Sequence, residues 1–160
     1  MFDVNGKLIG ITNAGNNEDQ NINYAIPVSA VKGAVEYILC HYDGETASGV
    51  WKPTTGLTLK TENSRYVYDG ALGYGTIRED LVASGVSGIE ADMDLEVGDK
   101  LTAIVIDGTS YTLHRDFELS DAYLLLTAGT EFYFVYDRGT EVGLRSDVHT
   151  IDGAELSLIA

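Results

Sequence analysis

Apolar residues alternate with polar ones over most of this chain, and two stretches of helical spacing interrupt that rhythm. Phe2-Asp3-Val4 and Leu8-Ile9-Gly10-Ile11 flank Asn5-Gly6, a pair that tolerates positive φ, so a hairpin with a type I′ turn is predicted. A polar loop follows at 13–20, then a strand at 22–26 closed by Pro27, which has no N–H to continue a ladder. Ser29 is placed to cap a helix over 30–39, where Val31, Ala34, Val35, Ile38 and Leu39 fall on one face. The small polar run at 43–50 reads as a linker. Beyond it, strands are predicted at 56–61, 65–68, 76–84, 100–106 and 131–137, parted by Asp69-Gly70, Asp107-Gly108 and Arg138-Gly139. A second helix over 116–126 has Leu119, Ala122, Tyr123 and Leu126 on one face and Phe117, Ser120, Asp121 and Leu124 on the other. The pattern predicts a mainly β protein with helices, of the α+β class: a small sheet or partial barrel with one prominent helix. Several folds of that class satisfy the periodicity.

At 160 residues the chain suits one domain plus an appendage, and its 44% hydrophobic content supports a packed core. No apolar run approaches the roughly 20 residues needed to span a bilayer, and the N-terminus has no basic and apolar leader. Cys40 is the only cysteine, so no internal disulfide can form and the compartment stays open. A formal charge of -15 argues against nucleic acid and anionic membranes as partners, and is read as a solubility feature.

Two groups of residues narrow the picture. Near the start stand Asn5-Gly6-Lys7-Leu8-Ile9-Gly10-Ile11-Thr12-Asn13-Ala14-Gly15 and Asn21-Ile22-Asn23-Tyr24-Ala25-Ile26-Pro27-Val28. Later come Leu95-Glu96-Val97-Gly98-Asp99-Lys100-Leu101 with Asp107-Gly108, and a final hairpin sequence from Ala128-Gly129 through Asp137-Arg138-Gly139 to Val142. The first group resembles the last strands of the second barrel of a trypsin-like serine protease, and the second resembles the PDZ domain of the HtrA/Deg branch. This chain departs from that pattern in the order Asp137-Arg138-Gly139 and in Ser87-Gly88-Ile89-Glu90-Ala91, which lacks the usual proline at a helix start. The resemblance implies a protease-barrel remnant with its C-terminal helix at 1–42, a linker at 43–50, a PDZ-like domain at 51–144 and a tail at 145–160. The tail has no counterpart and is expected to fray, or to dock its apolar end Leu156-Ser157-Leu158-Ile159-Ala160 in a neighbour's groove.

Catalysis is not expected. Acyl transfer needs a serine, a histidine and an orienting acid, and the resemblance places all three upstream of Met1. His41, His114 and His149 match no catalytic position. Asp92, Asp94 and Glu96 alternate along an acidic edge without the glycine and terminal glutamate of a calcium loop. Cys40-His41 lacks partners at zinc spacing, and Gly70, Gly73 and Gly75 precede no helix. No cofactor or metal is expected.

Binding is the better prospect. By resemblance, the loop from Lys52 to Leu57 holds a peptide's terminal carboxylate, with Thr54 and Thr55 in place of a bulky pair and Gly56 and Leu57 letting the backbone approach. The strand through Thr58 and Leu59 and the helix face of Phe117, Ser120 and Leu124 form the walls of a groove that takes a peptide as an added strand. Core packing is the alternative for Phe117 and Leu124. In the remnant, Thr12, Asn13 and Ala14 correspond to the strand that pairs with substrate, and Asn23-Tyr24-Ala25 to a wall of the specificity pocket. The expected partners are C-terminal or extended peptides of other proteins, and a second copy through the N-terminal strands. The resemblance also implies the extracytoplasmic side of a bacterial cell envelope. Two readings stand: the non-catalytic, peptide-binding regulatory end of an HtrA/Deg-type endopeptidase, or an interaction module that has the fold without the groove.

Overall fold

The computed structural model describes residues 1–15, 23–41, 50–70 and 73–159. Positions 16–20 of the loop predicted at 13–20, Ile22 of the strand predicted at 22–26 and positions 43–49 of the predicted linker lie outside them. The chain divides into two compact units, Met1–Ser48 and Gly49–Ala160.

The first unit contains β1 (Gly10–Gly15), β2 (Asn23–Pro27) and α1 (Val28–His41). The two strands pair antiparallel from Gly10 opposite Pro27 to Gly15 opposite Asn23, with a bulge between Thr12 and Ala14. The predicted Asn5-Gly6 hairpin shrinks to a single bridge between Phe2 and Leu8. Its turn is not type I′, because Gly6 has φ +76° and Asn5 is not in the left-handed region. Instead, the turn runs from Asp3 to Gly6, whose N–H donates to the Asp3 carbonyl at 3.1 Å, and Asp3 Oδ1 adds to it by accepting the N–H groups of Asn5 and Lys7, each at 2.8 Å. Nor does Ser29 cap α1. The helix starts one residue earlier, directly after Pro27 ends the strand. Of its predicted apolar face, Val35, Ile38 and Leu39 remain exposed.

The second unit is mostly β. It comprises β3 (Val50–Pro53), β4 (Thr58–Asp69), β5 (Tyr74–Gly85), α2 (Gly88–Asp92), β6 (Lys100–Ile106), β7 (Thr109–Thr112) and α3 (Asp116–Tyr123). β8 (Glu131–Arg138), β9 (Glu141–Arg145), β10 (His149–Thr150) and β11 (Leu156–Ile159) complete it. The main sheet runs β10-β8-β6-β5-β4, with β7 beside β6 and β9 beside β8. The strands predicted at 56–61 and 65–68 are one strand, β4, kept continuous by a bulge between Glu62 and Arg65 with Asn63 at φ 51°. β6 occupies the predicted range. Asp107 and Gly108, at φ 45° and 81°, form the two-residue type I′ turn that throws the chain back into β7.

Along β8 burial follows the pleat: Phe132, Phe134 and Tyr136 are buried while their neighbours are not. They meet Leu81, Leu101 and Ile104 from the sheet, Met93 after α2, and Leu119, Ala122 and Tyr123 from α3. Phe132 and Phe134 contact edge to face, with centroids 5.8 Å apart. α3 stops short of the predicted end at 126. The N–H groups of Leu124, Leu125 and Leu126 bond three residues back, so the last turn tightens and swings Leu126 into the core.

Within the second unit, the stretch from Leu95 to Leu101 and the turn at Asp137-Arg138-Gly139 meet in space. Arg138 donates from both Nε and Nη2 to Asp99, at 2.8 Å each, and from Nη2 to the Asp94 carbonyl at 2.7 Å. Asp99, 1% exposed, also accepts the Glu96 N–H at 2.8 Å. Hydrogen bonding to Asp99 raises the Arg138 pKa above its ordinary value. This forked pair ties the turn before β6 to the end of β8.

The segment predicted as a tail is folded as far as Ile159. Asp152 caps a short 3-10 turn at Gly153–Glu155 by accepting the Ala154 N–H at 3.0 Å. β11 then pairs antiparallel with β3, from Leu156 opposite Pro53 to Ile159 opposite Val50. The second unit therefore continues past 144 and includes the segment predicted as a tail.

Candidate functional site

A cleft of about 620 Å³ opens between the start of β4, with the loop before it, and α3. Among the described residues β4 pairs with β5 alone, so it is the edge of the main sheet. Glu118 sets the start of the helix: its Oε2 reaches back to accept the N–H groups of His114 at 2.6 Å and Arg115 at 2.9 Å. One face of α3 goes to the core through Leu119, Ala122 and Tyr123, and this leaves Phe117, Ser120, Asp121 and Leu124 for the cleft.

Seven of the nine residues predicted for the groove line this cleft: Thr55, Leu57, Thr58 and Leu59 on one wall, Phe117, Ser120 and Leu124 on the other. Leu57 and Leu59 are half-buried and pack on the core, while Thr55 and Thr58 are exposed. Phe117 is 37% exposed and Leu124 half-buried, so neither belongs to the buried core. Lys52, Asp116 and Asp121 add charge to the lining.

Thr54 and Gly56 do not line it. The Thr54 N–H donates to the Glu155 carbonyl at 2.8 Å. Gly56 is clamped on both sides: its carbonyl accepts the Ser87 N–H at 3.0 Å and the Ser87 hydroxyl at 3.1 Å, and its N–H donates to Glu90 Oε2 at 2.9 Å. A Cβ at position 56 would run into the Ser87 carbonyl, so glycine is required here by close backbone approach inside the unit. Glu90 is 1% exposed, and its second oxygen accepts the Tyr123 hydroxyl at 2.8 Å. Burial first, then the charge and hydrogen bond of Glu90, push the Tyr123 phenol well above its ordinary pKa, so it stays a donor. Thus one buried carboxylate joins the loop, α2 and the cleft helix. Burial, with the Glu118 charge added, raises the Asp121 pKa.

Glu90 escaped the sequence reading. Its partners lie 34 and 33 residues away, and no local pattern marks an acidic residue that the fold buries.

The remaining expectations concern other parts of the chain. Thr12, Asn13 and Ala14 lie on β1 of the first unit, at and around its bulge. A separate cleft in that unit, of about 630 Å³, is lined by Lys7, Leu8, Val28, Val31, Lys32 and Val35 and by none of the predicted residues. His149 Nε2 lies 3.0 Å from Glu155 Oε2, and its ring meets Phe132 edge on. Glu96 reaches Arg138 at 3.3 Å. Among the described residues no group of three or more His, Cys, Asp or Glu is placed to hold a metal ion, and no helix is long and apolar enough to cross a membrane. No family model matches this chain, and no curated protein matches it.

Proposed function

We propose that the second unit is a PDZ-like peptide-binding module, the non-catalytic regulatory end of a trypsin-like endopeptidase of the HtrA/Deg type. The observation that carries this reading is the open edge of β4 beside α3, because an unpaired strand edge facing an apolar helix wall is what an extended peptide needs to add as a further strand. Leu57, Leu59, Phe117 and Leu124 offer the apolar contacts, and main-chain groups along β4 offer the hydrogen bonds. The first unit is the barrel remnant. Among the described residues β1 and β2 pair only with each other, and Ile9, Ile11 and Ile26 are exposed beside them, so this unit associates with a second copy by strand pairing.

Titration of the chain with short, fluorescently labelled apolar peptides tests the binding reading by anisotropy. Dissociation constants on the order of micromolar are expected for a short added strand, with at least a tenfold loss in Leu124→Arg. Unchanged binding in that variant removes α3 from the site and defeats the proposal.

A further inference from the structure

We infer that the cleft recognises an internal extended segment carrying a lysine or arginine, and not a free carboxyl terminus. This rests on the peptide-binding reading above and specifies the ligand class. The usual way to hold a terminal carboxylate is a loop that turns its amide N–H groups toward it. Here two of the four amides in 54–57 are already spent, Thr54 on the Glu155 carbonyl and Gly56 on Glu90.

The Gly56 amide cannot be recruited by a small rotation. Ser87 holds the carbonyl of the same residue through two hydrogen bonds and packs against its Cα. Releasing the N–H to a ligand would also leave Glu90, buried and without solvent, with Tyr123 as its only remaining partner among the contacts above. An arriving carboxylate would meet a second carboxylate directly behind the loop, in a poorly screened setting.

The side chains lining the cleft point the same way. Among the described residues that line it, Lys52 is the one cation, against Asp116 and Asp121. Arg115, next to the helix, is committed to Glu79 at 3.1 Å and lies over the Phe117 ring at 5.5 Å. Burial first, then the Glu118 charge, raise the Asp121 pKa, so this carboxylate gains from a counter-charge. A cationic side chain on an added strand would supply it, within a chain whose formal charge is -15.

The test uses the full chain and one octapeptide of alternating valine and threonine with a central lysine, labelled at its N-terminus. It is prepared with a free carboxylate, with an amidated end, and with the lysine replaced by glutamate. Amidated and free forms are expected to bind within about threefold of each other, and the glutamate form about tenfold more weakly, a gap that narrows as salt rises. In Glu90→Gln the free-acid peptide should gain severalfold while the amidated one is unmoved, a split that general loosening of the loop would not produce. A free acid that binds tenfold or more tightly than its amide in the native chain overturns this inference and leaves the peptide-binding reading intact. If neither form binds at millimolar concentration, that reading fails and the inference with it.

Discussion

Both units are rich in isoleucine, valine and leucine, yet among the described residues every buried apolar side chain lies in the second. In Gly49–Ala160 a five-strand path, two helices and a long C-terminal return enclose one core. In Met1–Ser48 a two-stranded sheet and one helix leave Phe2, Val4, Ile9, Ile11, Val35, Ile38 and Leu39 exposed. The difference is not one of composition. A strand pair with a single helix has too few layers to cover both faces of its elements, whereas β8 in the second unit has β6, β9 and β10 beside it and α3 residues in the same core.

The sharpest break of that contrast is Phe134→Ala, which empties the centre of the second core. A loss of about 3–5 kcal/mol is expected in urea denaturation followed by Trp51 fluorescence. A loss under about 1 kcal/mol would mean that the ring does not anchor this core.

Next in size is the buried carboxylate. Glu90→Ala leaves the Tyr123 hydroxyl and the Gly56 N–H without an acceptor, so about 2–3 kcal/mol should be lost, whereas Tyr123→Phe removes one donor and should cost about 1 kcal/mol. Equal effects of the two variants would show that the Gly56 bond adds nothing.

A smaller effect comes with acid. Asp80 has a lowered pKa, chiefly because Asn63 donates to it at 2.9 Å, with Arg65 at 3.2 Å adding to this. At Asp137 burial works to raise the pKa, but the Gly143 N–H and Lys100, each at 3.0 Å, outweigh it and the net shift is downward. A carboxylate depressed on folding contributes stability that is complete above its unfolded value, about 4, and is lost as pH falls through the folded value. Stability should therefore decline below about pH 4, and the slope should flatten in an Asp80→Asn, Asp137→Asn double variant. An unaltered slope would assign acid sensitivity to other groups.

The smallest expected effect sharpens the comparison most. Residues 49–160 expressed alone should have an unfolding free energy within about 0.5 kcal/mol of that of the same unit in the whole chain, and should sediment as a monomer where the whole chain sediments as a dimer. A whole chain that is monomeric, with β1 and β2 protected from hydrogen exchange, would mean that the first unit's apolar surface is satisfied within one molecule.

The legible parts were those decided by neighbours in sequence. The range of β6, the Asp107-Gly108 turn, the alternation in β8 and the two faces of α3 follow from period and turn chemistry, whereas the residues of the cleft were named through the resemblance and not from period. Where a local signal failed, a second local contact had overruled it: Asp3 closed the turn that Asn5-Gly6 was expected to make, and three tightened hydrogen bonds ended α3 early.

What the sequence by itself determined, then, is the class of fold, the place of several strands along the chain and the face that α3 turns outward, since each depends on periods of two or 3.6 residues and on φ preferences at single turns. Only the tertiary structure decided that β11 returns to β3, that Asp99 and Arg138 lock 39 residues apart, and that Glu90 takes the Gly56 amide. These contacts join distant segments. They pair groups that no local pattern distinguishes from a solvated surface, so they exist only once the core has brought the partners together.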